Sequence, residues 1–195
     1  MSSGRPEVIS EDKQVTRKVT EAFGETYTLE RQSDPTRKFE LSVLCFHGQP
    51  APGISSYSTI GLWRTPLEPD PHTRLELVGA FPSDKEGFSA VLATAAFRIM
   101  RTQKPIGPGD VFPGYMREWY PKCTVPHLFF TLPSTWAQES LLPFRMGNLE
   151  VSFLQALPIS DGEYDYLSEH GEDSLEIKLI QNNIDFYDLK RKSAV

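Results

Sequence analysis

The sequence predicts an α+β domain: a mixed, mostly antiparallel β-sheet flanked by helices. Three observations predict it. Extended, β-rich segments recur along the chain, several with alternating apolar residues. Two long segments instead carry apolar residues at helical spacing. Strands and helices mix without the strict β-α-β alternation that a wholly parallel sheet requires. The length of 195 residues suits one domain, and 39% hydrophobic content can supply a core.

Residues 1–9 read as a flexible leader, and residues 10–195 as the domain. The first helix is expected in SEDKQVTRKVTEAFG, with Ser10 as its cap and Glu11 and Asp12 at its positive end. Val15, Val19, Ala22 and Phe23 share one face of it. ETYTLERQ reads as extended, DPTR as a turn, and KFELSVLCFHG as a strand with Phe39, Leu41, Val43 and Cys45 on one side. GISSYSTIGL follows, with five consecutive hydroxyl-bearing residues from Ser55 to Thr59. Strand alternation puts Ile54, Ser56, Ser58 and Ile60 on one side, and Ser55, Tyr57, Thr59 and Gly61 on the other. WRTPLEPDPHTR carries three prolines and reads as a loop. LELVGAFPS is another strand. The clearest helix is expected over 84–102, where Phe88, Val91, Leu92, Ala95, Ala96 and Ile99 repeat at helical spacing. KPIGPGDVFPGYMREWYPKCTVP is a Pro/Gly-rich surface segment with an unusual aromatic load. HLFFTLP and LEVSFLQALPIS are strands. Ser160 and Glu163 then form an S-x-x-E capping box, with Ile159 and Tyr164 at the staple positions. That helix ends near Gly171, and SLEIKLIQNN offers one more.

Composition narrows the functions available. A net charge of −6 disfavours direct nucleic-acid binding, which draws its affinity from cations meeting phosphates, and favours a basic partner. The two cysteines, Cys45 and Cys123, form no disulfide framework or CxxC pair. The N-terminus lacks the apolar segment of a signal peptide, and no apolar run approaches the roughly 20 residues that cross a bilayer. A cytoplasmic protein without membrane attachment is expected.

No catalytic constellation is legible. Ser56 and Ser58 lack a G-x-S-x-G setting. The four histidines show no metal-ligand spacing, and His127 beside Leu128, Phe129 and Phe130 reads as a core or rim residue. No phosphate-cradling loop and no calcium-binding loop is present. No cofactor and no metal are therefore expected. The carboxylates Asp161, Glu163, Asp165, Glu169, Glu172, Asp173 and Glu176 cluster in one stretch. They read either as a solvated helix face or as a docking surface for a cationic partner.

Seven fragments occur in the order found in the suppressor-of-fused domain family: GISSYSTIGL, LELVGAF, FSAVLATAAFRI, PGDVFP with WYP, HLFFTLPSTW, LQALPISDGEY and IDFYDLKRKSAV. The chain resembles that family over roughly residues 10 to 195, most of all its small bacterial antitoxin or immunity members. Lys190 stands where the bacterial ending carries Asn. The resemblance implies a mixed sheet with flanking helices, no catalysis, and a protein partner. That partner is a basic nuclease toxin domain or, alternatively, an extended peptide held by an adaptor. On this reading Tyr57 and Thr59 are exposed strand residues bordering a groove. Trp119, Tyr120 and Trp136 are candidate aromatic anchors, and Asp161, Glu163 and Asp165 belong to the acidic contribution.

Overall fold

The structure, a computed structural model, describes residues 10–137 and 139–195. The expected leader lies outside the described residues. The described chain forms an eight-stranded sheet and four α-helices, the α+β class expected. In chain order the elements are α1 (Ser10–Phe23), β1 (Thr28–Ser33), β2 (Glu40–His47), β3 (Ile54–Ile60), β4 (Thr73–Pro82), α2 (Phe88–Thr102), β5 (Val111–Phe112), β6 (His127–Thr131), β7 (Phe144–Met146), β8 (Leu149–Ile159), α3 (Asp161–His170) and α4 (Glu172–Gln181). A short 3-10 turn, Leu62–Arg64, follows β3.

The strands lie in the order β1-β2-β3-β4-β8-β6-β5, with β7 beside the start of β8. Only β4 and β8 pair in parallel, Thr73 opposite Glu150 through Val78 opposite Gln155. Every other pairing is antiparallel. The DPTR turn between β1 and β2 is held by Asp34, whose Oδ1 accepts the N–H groups of Lys38 and Phe39 at 2.7 and 2.9 Å.

Both faces of the sheet are covered. On one face α2 packs Phe88, Val91, Leu92, Ala95 and Ile99 against Leu41 and Val43 of β2, Leu77 and Phe81 of β4, and Phe130 of β6. The opposite face is shared. Val15, Val19 and Phe23 of α1 cover Leu44, Phe46 and Val78. At the other end α3 and α4 lay Leu167, Leu175 and Leu179 over Phe129, Leu157 and Ile159. Burial on both faces explains why β2 and β8 read as nearly continuous apolar runs.

Helix α2 begins at Phe88, later than the expected residue 84, because Gly87 has φ 97°, outside the helical region. Its first residue comes close to the sheet. The Phe88 ring stacks on Phe81 at 4.3 Å, and a Cβ at Gly79 would lie 2.8 Å from that ring.

Candidate functional site

The hydroxyl run is internal to the fold. Ser55, Ser56, Tyr57, Ser58 and Thr59 are all buried, which corrects the expectation that Tyr57 and Thr59 are exposed and border a groove. The alternation itself holds. Ile60 joins the α1 side of the core and Tyr57 the α2 side. Since β3 is an inner strand with both faces covered, neither parity reaches solvent. Each hydroxyl instead finds a partner, as buried polar groups must. Ser55 Oγ lies 2.8 Å from Ser83 Oγ and 3.1 Å from His47 Nδ1. Ser56 Oγ donates to the Gln49 carbonyl and accepts the Trp136 indole N–H, both at 2.8 Å. Burial also pushes the Tyr57 phenol above its ordinary pKa, with Cys45 adding to the effect.

Thr59 takes part in a buried carboxylate knot. Its Oγ1 accepts the Leu77 N–H at 2.8 Å and bonds Glu76 Oε2 at 2.5 Å. Glu76 Oε1 accepts the N–H groups of Gly61 at 2.7 Å and Trp63 at 3.3 Å, which holds the 3-10 turn. Burial raises the Glu76 pKa to about 7, against the pull of those hydrogen bonds. Asp12 of α1 completes the cluster. It accepts the Trp63 indole N–H at 2.9 Å and pairs with Arg64.

The other predicted residues divide between surface and interior. Trp136 is buried, tilted against Phe23 at a ring distance of 4.5 Å, so this expected anchor is a core residue. Trp119 is 41% exposed, with its ring over Gly87. Tyr120 is half-buried, and its hydroxyl donates to the Glu86 carbonyl at 2.7 Å. These contacts dock the 113–124 loop onto the N-terminus of α2. At the loop's other side Arg117 reaches Asp161 at 3.2 Å, and Asp161 also takes His127 Nε2 at 2.9 Å. The second His127 nitrogen, Nδ1, accepts the Gly114 N–H at 3.2 Å. His127 is thus a buried residue with both ring nitrogens engaged, as its neighbours in sequence suggest. Asp161 is exposed but occupied, while Asp165 is exposed.

Glu163 behaves unlike the acidic residues around it. It has no exposed surface, a correction to its expected place on a docking face. Its carboxylate closes the capping box with the Ser160 N–H at 2.8 Å. It also accepts Arg191 Nη1 at 2.5 Å, Arg191 Nη2 at 2.8 Å and the Ala194 N–H at 2.8 Å. Burial alone would raise its pKa. Arg191 and the Ser160 and Ala194 N–H groups outweigh burial and hold it below the ordinary carboxylate value. Glu163 therefore anchors the C-terminal tail. The Arg191 half of the pair lies 28 residues away and carries no local signal in the sequence.

What remains at the surface is a set of exposed aromatic, acidic and apolar side chains. The 113–124 loop presents Trp119, and the Arg117–Asp161 pair ties it to α3. Asp165 and Glu169 on α3 are exposed, as is Asp173 on α4. Sequence reasoning missed two residues there: Ile177 and Ile180 of α4 are 53% and 77% exposed. Their i, i+3 spacing after Asp173 was the available signal.

Among the described residues no carboxylate completes the Ser55–His47 contact. Burial raises the Cys45 thiol pKa, leaving it protonated. Among the described residues no group of three or more His, Cys, Asp or Glu side chains is placed to hold a metal ion. Nor is any described helix long and apolar enough to cross a membrane.

A mixed sheet covered by α2 on one face and by α1, α3 and α4 on the other is the architecture the seven sequence fragments pointed to. The chain belongs to the suppressor of fused protein (SUFU) family, whose pattern it matches over residues 38–192. It is 32% identical over 191 residues to the immunity protein YqcF of Bacillus subtilis (strain 168), covering 96% of this chain and 99% of that protein. Among solved structures it resembles a SUFU homologue from Neisseria gonorrhoeae FA 1090, with TM-score 0.71, 19% identity, and 96% and 98% of the two chains covered. It also resembles a chain of the Sufu–Fu complex, with TM-score 0.70, 12% identity, and 93% and 91% covered.

Proposed function

We propose that this chain is a non-catalytic, immunity-type protein that neutralises a toxin domain, a basic nuclease, by binding it directly in the cytoplasm. The observation that carries this reading is the near full-length similarity to a protein named for immunity. The charge of the molecule supports it. A nuclease must present a cationic surface to its substrate, and a chain of net charge −6 can occupy that surface. The surface fits the same role. Exposed Ile177, Ile180 and Trp119 offer apolar anchors, and exposed Asp165, Glu169 and Asp173 add negative charge.

The test is co-expression with the product of the adjacent reading frame. Rescue of growth together with co-purification is expected. A toxic neighbour that is neither bound nor neutralised contradicts the proposal.

A second reading is a peptide-binding adaptor. The observation in its favour is β1, an edge strand with no partner strand on its outer side among the described residues and with almost wholly exposed residues. Capture of an extended peptide at β1, with no toxin neighbour, would favour this alternative.

A further inference from the structure

The two edges of the sheet differ. At one, β5 is two residues long and flanked by Pro108 and Pro113, which blunt it. At the other, β1 runs six residues, Thr28–Ser33, without proline, glycine or lysine. Among the described residues no strand pairs with its outer side. Leu29 and Tyr27 stand at that edge, 49% and 38% exposed. Tyr27 continues the line of the strand, its ring 5.3 Å from Phe46. Both line a groove of about 540 Å³ shared with Thr16 and Thr20 of α1, so apolar surface beside the edge stays open. An edge of this kind is a template for pairing with another strand.

The residues of β1 fit a second copy of themselves in one register. Two copies pair antiparallel about a twofold axis. Directly opposite residues then share a face, so the axis passes through a residue. Leu29 lies on the α1 face, opposite Leu44, and Glu30 on the α2 face, opposite Val43. Four axes fall inside the strand, at Leu29, Glu30, Arg31 and Gln32. The axis at Glu30 sets Glu30 against its copy, and the axis at Arg31 sets Arg31 against its copy. The axis at Gln32 sets Glu30 against Asp34. Like charges so placed repel. The axis at Leu29 brings no like charges together. It sets Leu29 against its copy, the Tyr27 ring against the Arg31 guanidinium, and the Thr28 hydroxyl against the Glu30 carboxylate, each a favourable cross-strand pair.

We propose that the chain forms a homodimer through β1, paired antiparallel about Leu29, which joins two eight-stranded sheets into one. None of its residues is among those offered to a toxin above. The second copy competes for the same edge with the peptide of the adaptor reading.

The test is sedimentation equilibrium of the full chain. A reversible monomer–dimer equilibrium in the micromolar range is expected, as a small interface gives. Leu29→Lys, at an exposed site, should fold as the parent does and weaken dimerisation roughly tenfold or more by placing two charges at the axis. Crosslinking reads the register. In a Cys123→Ser background, Leu29→Cys puts two thiols at directly opposite positions, with Cα atoms about 4.5–5.5 Å apart, within disulfide reach. Arg31→Cys leaves them about 13 Å out of line along the strands. Mild oxidation should give a covalent dimer from Leu29→Cys and little from Arg31→Cys. A chain that stays monomeric at about 100 μM overturns the proposal, even if it captures peptides at β1. So does a dimer that Leu29→Lys leaves intact, or one that Arg31→Cys crosslinks better than Leu29→Cys. The co-expression result depends on none of these outcomes, so the two readings fail separately.

Discussion

At the residue scale, two buried carboxylates with opposite shifts define the behaviour in acid. Glu163 has its pKa lowered in the folded state. It therefore stabilises the fold above the ordinary carboxylate pKa, and that contribution is lost as pH falls through its folded value. Glu76 is raised to about 7. It favours the fold while protonated, so stability falls as pH rises from about 4.5 toward 7, by on the order of 3 kcal/mol. Urea denaturation across this range should show the falling limb, and Glu76→Gln should flatten it. The amide oxygen can still accept from Gly61 and Trp63, and its NH₂ can donate to Thr59. Glu163→Ala leaves Arg191 buried and unpaired, which should cost about 3–5 kcal/mol in the same assay. The capping role of Glu163 was legible in S-x-x-E. Its burial was not, because Arg191 approaches only through the tertiary fold. Likewise the hydroxyl run declared a strand but not an inner one, since period-2 alternation cannot show whether a second layer covers the other face.

At the element scale, the helices with strong apolar stripes were the most legible. The faces of α1 and α2 fall where their spacing puts them. The start of α2 was misjudged because residues 84–87 suit a helix by composition, and the positive φ at Gly87 is a backbone fact. Strand β7, only three residues long, was too short to declare a period. The tight seat of α2 on β4 gives a direct test. Gly79→Ala forces a Cβ into the fully buried Phe88 ring and should destabilise the protein by about 1–3 kcal/mol in thermal or urea unfolding. The outer face of α4 should behave in the opposite way. Ile180→Lys lies at the surface and should leave the melting temperature nearly unchanged, yet weaken partner binding roughly tenfold or more, measured by calorimetric titration.

At the scale of the whole molecule, the sequence pointed to the fold class and the family, and could not point to a surface. Charge, composition and ordered fragments are summed over the chain and survive without coordinates. The surface depends on which side chains the layers leave uncovered. The layers enclosed Tyr57, Thr59, Trp136 and Glu163 and left Trp119, Asp165, Ile177 and Ile180 outside. An acidic protein meeting a cationic partner should associate faster at low ionic strength, and stopped-flow rates should fall steeply as salt is added. The most direct measurement mixes the purified chain with the purified, catalytically inactivated domain encoded beside it and weighs the product by size exclusion with light scattering. A stable complex of fixed stoichiometry, lost on Ile180→Lys, is the predicted result. Two separately eluting proteins, with protection in cells persisting all the same, would contradict the claim that this fold acts by grip alone.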